Sequence, residues 1–384
     1  MTDALVLALA HIRFHAGRSL VVVLAAAIVI AVPLGVAMLV SAAEARLGAR
    51  AEATPLVIGA KGGRLDLATA ALHFGPGLPR PTTMAAHDAV WDSGLAEAVP
   101  LRLGFRAGGH PIVGTTLDYV AMRGLTIAEG RGLALLGEAV LGSAVAAARG
   151  LGPGDTLVSS PDTLFDLAGG RPLALDVVGV FAPTGTDDDR AVFVDIKTTW
   201  VIEGIGHGHD DVLAAADGAE VPPAAEYVAI TPETIDGFHF HGDPAGFPVS
   251  AILARPYDAR SATILRGRYL DPQASEQALV PAEVMADLAA KVGRMKGVVD
   301  AAVAAIGLSA LLGLGLAGWL SVALRRDEVQ TAFRLGAPRG HAVRLLVAEG
   351  AILLGAAGLL ALLALAFART LADDAAAALL RLSA

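Results

Sequence analysis

The chain contains no cysteine, which excludes disulfides, thiolate-ligated metal centres and cysteine nucleophiles. Charge is also sparse, at 17% Asp, Glu, Lys and Arg against roughly 25% in soluble domains. The charge present leans acidic, with 29 Lys+Arg against 38 Asp+Glu and a net of −9. There is therefore no basic stripe to neutralise phosphates, and nucleic acid is excluded as a partner. No Gly-x-x-x-x-Gly-Lys-Ser/Thr loop occurs, so the chain is not expected to hydrolyse ATP. No Gly-x-Ser-x-Gly nucleophile elbow occurs either. These absences read as a chain that is not an enzyme.

What the sequence has in excess is apolar surface, 54% of residues and a mean hydropathy of +0.59. The excess sits at the two ends. Residues 20–40, 298–324 and 345–367 each reach the length of about 20 residues needed to cross a hydrocarbon layer of about 30 Å. The first run carries Pro33 and Gly35 but no charge, and the second and third carry Asp300 and Glu349 close to their starts. An ionised group at mid-bilayer costs about 3 kcal/mol or more, so acids are tolerated at span ends. Those end positions favour helix-terminus roles for Asp300 and Glu349 over a proton relay. A cleavable leader ending near Ser41-Ala42-Ala43 is the alternative for the first run, but the run exceeds the ~7–15 apolar residues of such leaders.

Arg13 and Arg18 precede the first run, and Arg325, Arg326, Arg334, Arg339 and Arg344 lie between the second and third. By the positive-inside bias both flanks belong in the cytoplasm and the segment between the first two spans lies outside. The organisation predicted is a cytoplasmic lead (1–19), a first span (20–43), an extracytoplasmic domain (44–297), a second span (298–324), a cytoplasmic helix and loop (325–344), a third span (345–367) and a tail (368–384). The expected location is a bacterial inner membrane, multi-pass, with the N-terminus cytoplasmic. The outer segment holds 20 Lys+Arg and 31 Asp+Glu, a balance that any translocated domain can carry.

Within the outer segment, residues 56–60, 173–181, 191–196, 227–230 and 249–253 read as strands. Residues 138–149 read as a small-residue helix stopped by Gly150, and residues 275–298 as a helix running into the second span. Asp187-Asp188-Asp189 reads as a solvated turn, since three consecutive acids point in different directions. A polar insert covers about 203–223, with a subdomain break expected near 200–225. The long gaps between strands favour an α+β domain. The fold class is thus a helical transmembrane bundle of three spans with a large α+β outer domain.

The cytoplasmic stretch 325–350 is the most informative. Val329, Ala332, Phe333 and Gly336 fall at i, i+3, i+4 and i+7, one face of a helix headed by Arg325, Arg326 and Glu328, with Arg334 opposite. Such a helix can lie in the lipid interface or dock into a groove on a soluble partner. The paired arginines, the following acid, Arg334-Leu335-Gly336-Ala337, the basic Arg339 and Glu349 resemble the coupling segment of ABC permeases of the MacB, FtsX and LolC/LolE type. The outer segments Val57-Ile58-Gly59-Ala60-Lys61-Gly62-Gly63, Gly130-Arg131, Ala139-Val140-Leu141-Gly142, Gly152-Pro153-Gly154-Asp155 and Val177-Val178-Gly179-Val180-Phe181 are similar to successive signatures of that family's periplasmic core domain. The resemblance implies a permease subunit of a type VII ABC system, dimeric with itself or a paralogue. Its partner would be a separate cytoplasmic ATPase coupled through Arg325, Arg326, Glu328, Val329, Phe333, Arg334, Leu335, Gly336 and Arg339. It implies export or extraction of a lipoprotein, lipid, peptide or drug, or else FtsX-like signalling to a periplasmic or lipoprotein partner. That family has a fourth span, whereas only 17 residues follow Phe367, too few to cross a bilayer.

Two His-x-His pairs stand out, His207-Gly208-His209-Asp210 and His239-Phe240-His241-Gly242-Asp243. In an extended segment residues i and i+2 face the same way, so each pair offers two imidazoles to one ion. Imidazole with carboxylate suits Zn²⁺. The metal reading therefore names His207, His209, Asp210, His239, His241 and Asp243, against incidental histidines in a solvated loop. Some permeases resembling this one serve zinc handling, which would make the chain part of a zinc transport system. No other cofactor is expected.

Overall fold

The computed structural model describes residues 2–75, 77–160, 172–208, 228–231, 234–324, 331, 334 and 340–382. They divide into two compact units, one of Met1–Ala45 with Leu288–Ala384 and one of Arg46–Asp287.

In the first unit the apolar runs are helical, as their composition requires, since a lipid-exposed backbone must satisfy its own hydrogen bonds. The helix Ala16–Glu52 contains Pro33, and the helices Pro281–Leu324 and His341–Leu382 cover the later runs. Among the described residues two stretches are long and apolar enough to cross a membrane, Ala16–Met38 with mean hydropathy 2.9 and Val347–Arg369 with 2.5. Both leave large apolar side chains outward, including Val21, Ile28, Leu34, Leu362 and Phe367. Ala26 and Ala27 are buried with Ala357, small residues that let two helices approach closely. Arg18 donates to Glu349 at 3.1 Å, two turns into the helix His341–Leu382 rather than at its end.

The second unit is α+β. Among the described residues eleven strands form one mixed sheet, nine of them in the spatial order Val228–Ala229, Leu173–Phe181, Glu138–Leu141, Val192–Asp195, His110–Thr115, Ala96–Ala107, Ala251–Pro256, Leu56–Ala60, Glu276–Leu279. Ile127–Gly130 adds to Leu173–Phe181, and Thr156–Ser160 pairs with both Leu173–Phe181 and Ala96–Ala107. His110–Thr115 runs parallel to Val192–Asp195, and Glu138–Leu141 runs parallel to Leu173–Phe181. Among the described residues, two clusters contribute to the core. One centres on Ile112, Leu141, Leu175 and Val192, the other on Leu56, Ile58, Trp200 and Ile252. Each fully buried aliphatic side chain contributes about 1.5–3 kcal/mol.

Three expectations are corrected here. Residues 138–149 are not one helix: Glu138–Leu141 is a fully buried strand and only Ser143–Arg149 is helical. Small apolar residues fit either period, and the place between two neighbouring strands decides. The buried Glu138 is held by Arg131 and accepts from the amides of Ala134 at 2.8 Å and Leu135 at 3.0 Å. The helix expected from 275 begins at Pro281, because Glu276–Leu279 pairs with Leu56–Ala60 as an edge strand. Residues 249–253 divide between Pro248–Val249 and Ala251–Pro256, which belong to different sheets.

Gly142 separates the buried strand from its helix. A Cβ there would lie 2.2 Å from the Asp188 carbonyl oxygen and 2.4 Å from that of Asp189. Backbone cannot yield as a side chain tip does, so Gly142→Ala is expected to destabilise the protein by about 1–3 kcal/mol. Thermal unfolding of the detergent-solubilised chain would check this, and an unchanged midpoint would refute the contact.

Candidate functional site

The helix Ala16–Glu52 carries arginines in its last turns, and Arg50 is 7% exposed. A buried guanidinium must be matched by fixed acceptors or it loses its hydration without compensation. Here the match is bidentate. Nη1 donates to Asp188 Oδ2 at 2.7 Å and Nη2 to Oδ1 at 2.8 Å. Nη2 also donates to the Tyr119 hydroxyl at 2.9 Å, and that hydroxyl donates to Asp188 Oδ1 at 2.6 Å. Asp188 is 3% and Tyr119 0% exposed. The Phe74 ring lies 5.4 Å from the Arg50 guanidinium carbon, and the Tyr119 ring 5.7 Å from that of Arg123, both in cation–π range.

The acidic turn is thus only partly what its composition suggested. Asp189 does make a turn, accepting from the Thr184 and Gly185 amides. Asp188, in contrast, is the buried counter-ion of a residue 138 positions away. Asp187 Oδ2 lies 2.6 Å from His73 Nδ1. Thr186 caps the short 3₁₀ turn Asp187–Arg190 by accepting from the Asp188 amide. Three consecutive acids therefore have three different partners.

Burial by itself pushes the Asp188 carboxyl up, but the hydrogen bonds and charge of Arg50 and the Tyr119 hydroxyl prevail and hold it below the ordinary range. Asp187 is likewise raised by burial yet held low overall, by His73 and then Arg50. Burial works against the charge on Arg50, and Tyr119 and Asp188 reverse this so that its pKa is raised. Tyr119 is pushed up by burial. Arg123 is lowered, first by burial. Depressed carboxyls contribute stability above their unfolded pKa of about 3.9 and lose it as pH falls through the folded values. The stability of the outer unit is thus expected to hold down to about pH 4 and to fall below it, with Asp188→Asn reducing that acid limb. Arg50→Ala strands a buried carboxylate and is expected to cost about 3–5 kcal/mol at neutral pH. Calorimetric unfolding of both variants across pH would test this, and an unperturbed Arg50→Ala midpoint would overturn it.

The histidines lie elsewhere in the same unit. Gly206–His207 and His239–Phe240 form a two-stranded antiparallel ribbon in which His207 faces His239. The His241 amide donates to the Ile205 carbonyl at 3.1 Å, extending the ladder. The ribbon unites His207, His239 and His241, one member of the first sequence pair with both members of the second. Asp243 instead caps a 3₁₀ turn, accepting from the Ala245 amide at 3.0 Å. His209 and Asp210 lie outside the described residues.

Of the residues expected to contact an ATPase, Arg334 is helical and exposed. Arg325, Arg326, Glu328, Val329, Phe333, Leu335, Gly336 and Arg339 lie outside the described residues. Sequence reasoning missed Arg50, Tyr119 and Arg123, and its only available signal was an arginine just past an apolar run.

Comparison with known proteins bears on the outer unit. The chain is similar to the periplasmic region of MacB from Actinobacillus actinomycetemcomitans, at 13% identity and TM-score 0.35, covering 61% of this chain and 92% of that one. It is also similar to the extracellular domain of the noncanonic ABC-type transporter YknZ from Gram-positive bacteria, at 11% identity and TM-score 0.31, covering 58% and 98% respectively. No curated protein matches the chain. Residues 19–231 match the family model of the MacB-like periplasmic core domain. That span is more than half of the 384 residues and contains the Arg50–Asp188 pair, and the chain belongs to this family, the outer module of MacB-like ABC transporter permeases.

Proposed function

We propose that the chain is the membrane-spanning permease subunit of an ABC transporter and couples ATP hydrolysis on a separate cytoplasmic subunit to rearrangement of its outer domain. The observation that carries this reading is the unbroken helix Ala16–Glu52. It contains the apolar stretch Ala16–Met38 and ends in a turn whose Arg50 is locked to Asp188 and Tyr119. Transmission across a bilayer requires a stiff element, and a continuous helix whose last turn is held by a bidentate ion pair is suited to it.

Residues 298–324 would supply a further span, within the helix Pro281–Leu324. The Arg18–Glu349 pair supports placing the N-terminal flank and the 325–344 connection on one side of the membrane. With their arginines that side is cytoplasmic, which puts residues 44–297 outside a bacterial inner membrane. The 325–340 segment would then present Val329 and Phe333 to a groove on the ATPase, with Arg325, Arg326, Glu328, Arg334, Leu335, Gly336 and Arg339 framing the contact. Two copies, or one copy with a paralogue, would work around two ATPase subunits. The cargo belongs to the class handled outside that membrane: a lipoprotein, lipid, peptide or drug.

Co-purification with the ATPase tests the reading. Phe333→Asp and Arg334→Glu are each expected to weaken complex formation at least about tenfold, equivalent to about 1.4 kcal/mol, and to abolish stimulation of ATP hydrolysis. Undiminished assembly and stimulation in both variants, or labelling of residues 325–340 from the outer face, would sink it.

A further inference from the structure

The same outer unit carries a second group of functional side chains with no part in the Arg50 network. One ligand nitrogen from each of His207, His239 and His241 lies within 4.8 Å of the others. The ring centroids are 4.9 Å apart for His207 and His239, 4.8 Å for His207 and His241, and 4.7 Å for His239 and His241. We infer that these three imidazoles form a binding site for a divalent transition-metal ion of zinc character.

The backbone produces this grouping. Strand alternation places His239 and His241 on one face, and antiparallel pairing brings His207 opposite His239. The residue between the two histidines points the other way and serves as the anchor. Phe240 packs on Trp200 and Phe247, with centroids 6.3 and 6.1 Å away. Trp200 is in turn fixed by donating Nε1–H to the Pro248 carbonyl at 3.0 Å. Gly206, opposite Phe240, leaves room for that ring, since a Cβ there would come within 2.6 Å of it. The apolar side of the ribbon is therefore seated in the core, and its other side presents the histidines at the surface.

The chemistry of the group fits an ion. Nδ1 of His239 lies 3.3 Å from the Gly237 carbonyl oxygen. A carbonyl only accepts, so Nδ1 carries the hydrogen in this contact, and Nε2 is the nitrogen that would coordinate. Carbonyl-bonded imidazoles of this kind are the usual outer support of metal-ligating histidines. Tetrahedral coordination at about 2.1 Å per nitrogen sets neighbouring nitrogens about 3.4 Å apart. Rotation about the side-chain torsions of His207 and His241, both exposed, covers the difference. Imidazole donors without thiolate select zinc, copper or nickel over calcium or magnesium. Among the described residues the site has three protein ligands, one short of the four that zinc takes. The inference stands independently of ATPase coupling, because it concerns a separate set of residues and a different measurement.

The test uses the full chain in detergent, purified without a polyhistidine tag and stripped with chelator. Calorimetric titration with Zn²⁺ is expected to give one ion per chain with micromolar or tighter affinity. His239→Asn and the pair His207→Asn/His241→Asn should each weaken binding at least about tenfold, while His87→Asn should leave it unchanged. Co²⁺ bound to the unaltered chain should give the intense visible absorption of a four-coordinate ion. No heat with micromolar Zn²⁺, equal affinity in the ribbon variants, or the weak spectrum of octahedral Co²⁺ would each overturn the site. Should a variant fail to fold, as judged by its metal-free thermal midpoint, the stoichiometry and Co²⁺ spectrum of the unaltered chain decide alone.

Discussion

Arg50 and Asp188 meet at a point from which water is excluded, and the surrounding outer unit is arranged to make that meeting tolerable. A lone guanidinium or carboxylate there would carry an uncompensated desolvation penalty of several kcal/mol. Fork-to-fork geometry at 2.7 and 2.8 Å matches the two charges, and the Tyr119 hydroxyl bridges them. Gly142 lets the Asp188 backbone approach, and Phe74 and Arg123 enclose the group. Such a pair adds little net stability over an apolar replacement, so its value lies in fixing one geometry.

The geometry it fixes is the end of a helix that also contains a membrane-length apolar stretch. The helix terminates in a hydrogen-bonded seat built by Tyr119, from the helix Leu117–Arg123, and Asp188, from the 3₁₀ turn between the strands Leu173–Phe181 and Val192–Asp195. The buried pair is an internal feature of this unit, whereas the His207–His239–His241 ribbon is a surface feature anchored through Phe240 and Trp200. One unit thus contains both a buried ion pair and a solvent-facing cluster.

Several family-like segments acquire physical reasons in the structure. Arg131 follows Gly130 because the buried Glu138 needs a counter-ion. The stretch Ala139–Gly142 combines a central strand with the glycine that admits the Asp188 carbonyl. Lys61 closes the first strand by donating to the carbonyls of Asp271 and Pro272, each at 2.9 Å. These contacts tie chain segments far apart in sequence, so each motif looks weak when read alone.

The sequence by itself determined the apolar helices, the α+β character of the region between them and the strands at 56–60 and 173–181, because hydrophobic periodicity and run length are local properties. It also gathered the histidines into two short pairs. Only the tertiary structure decided that 138–141 is a strand and that 276–279 precedes the long helix as a sheet edge. It alone joined His207 to the other pair and turned Asp188 from one of three surface acids into the counter-ion of Arg50. In each of these cases the deciding partner lies tens to hundreds of residues away, and the free energy of burial and pairing outweighs the weak local preference of small or acidic residues.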